Sequence, residues 1–251
     1  MRIPFNKEME FFLKKMFSEK YLLKKRLKRA IENNYEEELS ILNNIVNKDL
    51  ESVDVGVYRG VYSYKLSKIS KHVHAIEPNP LIFPYLEKNL TKIINNITLY
   101  NCAASDKDSE TKLRIPKRFE TINSKNYEEK YKLGSATMHM YNDLNSEEHE
   151  VYKIETKKLD NLLINKKIGF IKIDVEGHEK NVLNGSLDIL KKNKPTLLIE
   201  IEEKHTKDKV KNTINYVKEF GYSSYYCEDQ KLISTDKLED YNKKNNYIFI
   251  A

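Results

Sequence analysis

Long apolar runs are missing from this chain. No stretch approaches the roughly 18 to 20 residues that cross a membrane, the mean hydropathy is -0.69 and 33% of the residues are charged, so a soluble protein is expected. The N-terminal apolar clusters are broken by lysines, which removes the pattern of a secretory signal and makes the cytoplasm the expected compartment. Cysteine is nearly absent. Cys102 and Cys227 stand far apart without ligand-like spacing, which excludes a disulfide framework and a cysteine zinc site. Glycine is scarce too, at seven residues, and the Gly-x-Gly-x-x-Gly spacing is missing, which excludes the dinucleotide fingerprint.

What remains is a chain of 251 residues with a net charge of +6, long enough for one well-buried α/β domain with additions. The charge is concentrated. Between Asn6 and Arg29 nine basic residues face three acidic ones, Glu8, Glu10 and Glu19, an excess of nine minus three, six, that matches the net charge of the whole chain. The rest is close to neutral, which describes a basic arm or helix face rather than a nucleic-acid-binding body. Phe12, Met16, Leu23 and Leu27 recur at helical spacing among these lysines, and Glu38, Leu39, Ile41, Leu42 and Ile45 read as a second helix. Residues 1–48 are therefore expected as a basic helical extension and residues 49–251 as the main domain. Such a helix can touch a membrane surface or an acidic partner, or simply pack its apolar stripe and solvate its lysines.

Two of the seven glycines fall in one stretch, Glu51-Ser-Val-Asp-Val-Gly-Val-Tyr-Arg-Gly60, which begins as an apolar strand and runs into a helical pattern from Val61 to Ile69. Without a Cβ, Gly56 and Gly60 let the backbone turn tightly and let a ligand approach its amides. The helix behind such a turn offers unpaired N–H groups that suit a carboxylate, a phosphate or a ribose. An ordinary strand-to-helix turn is the alternative, and the downstream residues decide between them. Val73 to Ile76 is a second strand, ended by Glu77 and by Pro78 and Pro80. An acidic residue about 20 positions past a glycine turn is placed to accept from ribose hydroxyls; a plain polar strand end is the simpler reading. Leu81 to Leu90 reads as a helix. Ile97 to Asp106 reads as a third strand running into a small-residue turn, where Ala103, Ala104 and Ser105 leave room for a flat ring, with Asp106 beside them to accept from an amino group.

Thr111 to Ile115 and Val151 to Thr156 alternate like paired edge strands. The 35 polar residues between them, Pro116 to Glu150, carry Tyr127, Tyr131, Met138, His139, Met140 and Tyr141 and read as a substrate-side lid. Ile168 to Glu179 is a buried strand opening into a helix with apolar positions at Val182, Leu183, Leu187 and Leu190. Lys172 interrupts that strand, and because an unpaired buried ammonium is costly it should contact a carboxylate, Asp54 or Glu200. Period-two alternation sets Lys172 and Asp174 on one face, with Asp174 at the carboxyl end where open α/β sheets bind ligands. Thr196 to Glu202 is the next strand, with Glu200 and Glu202 on one face. Lys207 to Phe220 is a helix closed by Gly221, and Ser223 to Cys227 and Asn246 to Ile250 form a last antiparallel pair. A divalent ion on Asp174 with Glu200 or Glu202 is an alternative use of these carboxylates. They serve equally as caps or as partners of Lys172, so no metal is expected. His74, His139 and His205 are scattered and read as surface or packing residues.

Taken in order, Val53-Asp-Val-Gly56 with Gly60, Glu77-Pro78, Ala103-Ala-Ser-Asp106, Leu159-Asp160 and Lys172-Ile-Asp-Val-Glu-Gly-His-Glu179 resemble the FkbM family of S-adenosylmethionine-dependent methyltransferases over about residues 50 to 205. The resemblance implies a Rossmann-like α/β fold of the class I methyltransferase type: seven strands, mostly parallel, one antiparallel terminal strand and helices on both faces. It also implies S-adenosyl-L-methionine as cofactor and methyl transfer to a hydroxyl of a small molecule or sugar. By matching position Asp54, Gly56 and Gly60 would hold the methionine moiety, Glu77 the ribose, and Ser105 and Asp106 would lie by the adenine; Tyr58 and Ser63 join this cofactor set. Tyr58 stands where the family generally has Asn, and Lys158 where Thr usually precedes Leu-Asp. Proton removal and alignment fall to the protein in such a transfer, with Asp174 the first choice for base or orienter and His178 the second. Two other functions stay open. One is a non-catalytic cofactor-binding or docking module acting through the basic N-terminal helix, and the other is 2′-hydroxyl methylation of nucleic acid, against which the near-neutral main domain argues.

Overall fold

The computed structural model describes residues 18–117, 133–138, 148–205 and 208–251. Phe12 and Met16 of the expected first helix, and Tyr127, Tyr131, His139, Met140 and Tyr141 of the expected lid, lie outside them. Helix α1, Glu19–Glu32, starts where the Ser18 hydroxyl accepts the Tyr21 N–H, and it buries Leu23 and Leu27. The second helix expected before the first strand is broken into a 3-10 turn at Glu37–Ser40 and a short helix α2 at Leu42–Ile45. Asn43 and Asn44 are poor helix formers, and Val46 is already extended.

The main domain then alternates as expected. Strand β1 (Glu51–Val55) leads to α3 (Val61–Leu66), β2 (Val73–Ile76) to α4 (Phe83–Asn89), and β3 (Ile97–Tyr100) follows. After Tyr100 the chain leaves the main sheet, and part of the expected small-residue turn is itself a strand. Ala103–Ala104 (β4) pairs instead with β6 (His149–Lys157), whose other neighbour is β5 (Ser109–Pro116), in a small second sheet. Helix α5 (Leu159–Leu162), β7 (Ile168–Ile173), α6 (Glu179–Asn184), α7 (Leu187–Asn193), β8 (Thr196–Glu200), α8 (Val210–Lys218), β9 (Ser223–Glu228), β10 (Lys231–Ser234) and β11 (Asn246–Ile250) complete the chain. The single helix expected after Glu179 is thus two, divided at Gly185 and Ser186. A Cβ on Gly185 would sit 1.9 Å from the Ser105 carbonyl oxygen, so glycine is required there by close approach.

The main sheet runs β10-β9-β11-β8-β7-β1-β2-β3. Strands β8, β7, β1, β2 and β3 are parallel, and β11 runs against both β8 and β9. This is the mostly parallel Rossmann-like sheet expected, with the reversed last strand inside the sheet rather than at its edge. It has eight strands rather than seven because β10 hairpins back on β9. Helices α6, α7 and α8 pack through Val182, Leu183, Ile189, Leu190, Ile214 and Val217 on one face, over Val53, Ile171, Ile173 and Ile199. Leu23 and Leu27 of α1, Tyr62 and Leu66 of α3 and Leu86 of α4 cover the other, over Ala75, Phe170 and Leu198. Two apolar layers therefore fix the carboxyl ends of β1, β2 and β7 side by side.

Candidate active site

Register makes the site. Lys172 on β7 lies opposite Asp54 on β1, which lies opposite Ala75 on β2. Past the strand ends the Asp174 N–H donates to the Val55 carbonyl at 3.0 Å and the Gly56 N–H to that of Ile76 at 3.0 Å. Gly56 has φ +87, and a Cβ there would meet the Asp174 carbonyl oxygen at 1.9 Å, so conformation and contact both require glycine. Gly60 has φ +77 and starts α3 against the Leu90 side chain.

A cleft opens at this rim, with about 630 Å³ of empty space that includes the open solvent at its mouth. Val55, Gly56, Tyr58, Glu77, Asp174 and Glu176 line one side, and Ala103, Ala104, Leu113, Gly134, Ala136 and Met138 the other. Residues 133–138 of the expected lid therefore do wall the cleft. Thr137 anchors them, bridging Arg114 on β5 through backbone bonds of 2.9 and 3.0 Å and donating its hydroxyl to the Glu176 carbonyl at 2.8 Å.

The buried Glu77 carboxylate accepts the Tyr58 N–H at Oε2 and the Asn79 N–H at Oε1, both at 2.8 Å. Burial lifts its carboxyl to about 7 against the pull of these two amides. Tyr58 makes its bond from a left-handed backbone, φ +47, a conformation that Asn tolerates better than an aromatic residue. Its ring packs on Gly134, and the Arg59 guanidinium lies 5.0 Å from the ring centre. Asp54 lies beneath the cleft floor, 1% exposed. Its Oδ2 accepts the Ser63 hydroxyl at 2.5 Å, while Oδ1 is buried and accepts no hydrogen bond. Burial lifts Asp54 to about 6, with Lys172 pulling the other way.

Lys172 pairs with Asp174, Nζ to Oδ2 at 2.8 Å, and sits 4.6 Å above the Tyr62 ring. The direct partner is thus neither Asp54 nor Glu200, although both lie close enough to be affected by its charge. Burial alone would lower the Lys172 ammonium, but Asp174 and Asp54 hold it above its usual range. Asp174 keeps 30% of its side chain exposed, at the rim.

Ser105, Asp106 and His178 do not line the cleft, whose wall at that level is Ala103 and Ala104. They form a separate cluster. The Ser105 Oγ lies 2.9 Å from His178 Nε2 and donates to Asp106 at 3.0 Å. Glu176 and His205 are the residues that the sequence pattern did not place at the site. Glu176, at φ +52, brings a second carboxylate to the rim, 2.6 Å from His205 Nε2, which also lies 2.7 Å from Glu202. Burial would lower the imidazole, but Glu176 and Glu202 hold it above its ordinary range. Glu200 behind them rises to about 8 through burial and the nearby Asp174 charge. The adjacency of Glu202 and His205 in the sequence was the available signal, and the turn at Glu203–His205 that folds the imidazole back gives no periodic pattern. Among the described residues no group of His, Cys, Asp and Glu is arranged to hold a metal ion.

These residues fit S-adenosylmethionine. Each Glu77 oxygen carries one amide bond and keeps acceptor capacity for a ribose hydroxyl, Gly56 lines the cleft beside it, and Ala103, Ala104, Leu113 and Met138 form an apolar slot for a flat base. Among solved structures the chain is similar to a methyltransferase FkbM from Methylobacillus flagellatus KT, at 16% identity and a TM-score of 0.51, over 88% of this chain and 53% of that one; it spans about half of that protein's length. A putative methyltransferase from Streptococcus mutans in complex with SAH matches at 14% identity and a TM-score of 0.48, over 85% of this chain and 95% of that one. At 16% identity the likeness to the Methylobacillus protein speaks to the fold alone. No curated protein matches the chain. The methyltransferase FkbM domain, however, matches residues 54–224, more than half of the chain and the whole of the glycine turn, Glu77 and Asp174. The chain therefore belongs to the FkbM family of S-adenosylmethionine-dependent methyltransferases.

Proposed function

We propose that this chain moves the methyl group of S-adenosylmethionine to a hydroxyl oxygen of a small molecule or sugar. The observation that carries the reading is the meeting of Gly56 and Asp174 at neighbouring strand ends, a turn suited to the donor against a carboxylate suited to the acceptor's proton. The cofactor supplies a methyl group on a positively charged sulfur, a leaving group that needs no acid. Alignment and proton removal are left to the protein.

Glu77 would hold the ribose, the Gly56 to Gly60 turn the methionine end, and the alanine wall the base. Lys172 fixes Asp174 at Oδ2, so the other oxygen is presented to the hydroxyl and takes its proton as the oxygen–carbon bond forms. Glu176, held by His205, offers the acceptor a second hydrogen-bonding carboxylate at the same rim. The described lining holds Glu77, Asp174 and Glu176 and no basic side chain, which favours a neutral hydroxyl compound over a phosphorylated one or a nucleic acid.

Calorimetric titration with S-adenosylmethionine and S-adenosylhomocysteine should give saturable binding, and no heat at millimolar ligand would overturn the reading. With labelled donor and cell-extract acceptors, Asp174→Asn should lower methyl incorporation by about 10² to 10⁴ while leaving S-adenosylhomocysteine bound. An unimpaired D174N would remove Asp174 from the base role.

A further inference from the structure

Helix α1 carries Lys20, Lys24, Lys25, Arg26, Lys28 and Arg29 in fourteen residues, all of them exposed. Its acids are Glu19, which Lys88 of α4 engages at 2.8 Å, and Glu32. Six cations less two acids leave four charges on this one helix, of a net six for the chain. Among the described residues no carboxylate lies within ion-pair distance of Lys20, Lys24, Lys25, Lys28 or Arg29. The helix does not carry these cations to solubilise an apolar stripe left open, because Leu23 and Leu27 are already buried on the domain. At roughly 100° per residue, positions 24, 28, 25 and 29 sweep an arc of about 140° away from those leucines, Tyr21 projects from within it, and Lys20 flanks Leu27.

Aromatic residues accompany the charge. Of the five large apolar side chains left exposed among the described residues, Tyr21 at 49% is on α1, Tyr35 at 79% follows its end, and Tyr85 at 37% is on α4, one turn before the Lys88 that pairs with Glu19. Cations interleaved with amphipathic rings suit an anionic interface, where the ring sits at headgroup level and the ammonium meets phosphate. The partner is also a platform rather than a substrate. The cleft wall carries Glu77, Asp174 and Glu176 and no described basic side chain, so a polyanion captured on α1 would be repelled from the site itself, whereas a membrane does not enter it. We propose that α1, with Tyr21, Tyr35 and Tyr85 beside it, docks the protein on anionic lipid headgroups of a membrane surface. Because the apolar stripe of α1 is used internally, this helix contributes peripheral adsorption and does not itself insert.

The test is co-sedimentation of the full chain with phosphatidylcholine vesicles containing or lacking roughly 30% phosphatidylserine, at ionic strength of about 0.1 M. Binding should require phosphatidylserine and fall steeply with added salt. In K24E/K25E/K28E the partition coefficient should drop at least about a hundredfold, since each cation near such a surface contributes roughly fivefold, with circular dichroism and S-adenosylhomocysteine affinity unchanged. Tyr21→Ser should weaken binding several-fold without altering its salt slope. If the triple variant does not fold, the salt titration and Y21S on the intact chain carry the test. Equal binding to both vesicles, no binding to either, or tight binding to a duplex RNA with none to vesicles would overturn the proposal. None of these outcomes bears on cofactor binding, which calorimetry reads separately.

Discussion

Lys172 keeps only 4% of its side chain exposed on the central strand β7, and its burial is tolerated because Asp174 accepts a hydrogen bond from its ammonium at 2.8 Å and Asp54 lies in the opposite register position. Replacing it with methionine should leave Asp54 buried without a counter-charge and Asp174 unheld. We expect Lys172→Met to cost about 3–5 kcal/mol in urea denaturation, the usual loss when one partner of a buried pair is removed. Adding Asp174→Asn should cost less than the sum of the two changes, with a coupling of about 1–2 kcal/mol, limited by the solvent that reaches Asp174. Gly56→Ala is expected to cost about 2–4 kcal/mol and to abolish S-adenosylhomocysteine binding by calorimetry, because a Cβ 1.9 Å from the Asp174 carbonyl must push β1 and β7 apart. Alternation in the sequence set Lys172 and Asp174 on one face but did not say which carboxylate would take the ammonium. Strand period fixes a face, not the torsions of a four-carbon side chain. His205 was harder still, since it reaches Glu176 from a single 3-10 turn outside any strand or α-helix.

Helix ends show why some motif residues serve the fold rather than the chemistry. Asp160, from the Leu-Asp pair of the family pattern, lies in α5 and accepts the N–H groups of Asp188 and Ile189, both at 3.0 Å. It thereby caps α7, whose own N-cap residue Ser186 makes no side-chain cap. Asp160→Ala should cost about 1–2 kcal/mol in thermal unfolding and leave S-adenosylhomocysteine affinity unchanged; a loss of affinity instead would place Asp160 in the site. A cap supplied from 28 positions earlier in the chain has no local signature, so the sequence could mark Asp160 without explaining it. Strand β10 went unseen for a related reason. Its hairpin turns through Asp229 at φ +50 and Gln230 at φ +61, a geometry that usually advertises itself by Asn-Gly or Asp-Gly and here does not. The strands that carry the site were legible because parallel central strands read as apolar runs ended by polar residues, as at Val73 to Glu77 and Ile168 to Asp174.

Across the molecule the carboxylates that crowd the cleft edge make stability depend on pH with one sign. Burial raises Asp54 to about 6, Glu77 and Glu179 to about 7, and Glu200 to about 8. Each is therefore protonated more readily in the folded chain than in the unfolded one, where carboxyls titrate near about 4. Such a group contributes stability that is full below its unfolded value and is lost as pH rises through its folded value. His205, raised between Glu176 and Glu202, acts in the same direction above pH about 6.5. Burial lowers His72 and His74, so the fold resists their protonation and loses stability as pH falls below the unfolded histidine value. Four rising carboxyls outweigh the two histidines once the unfolded carboxyls have ionised, so the melting temperature of the ligand-free protein should fall steadily from pH of about 5 to about 8. Changing Glu77 to Gln removes one of the rising carboxyls while keeping its shape. That variant should flatten the fall of the melting curve between pH of about 4.5 and about 7 and weaken S-adenosylhomocysteine, because a neutral amide accepts less well from ribose hydroxyls. An unchanged pH slope with intact ligand affinity would mean that Glu77 is neither the buried acid nor the ribose acceptor that its two amide bonds make it.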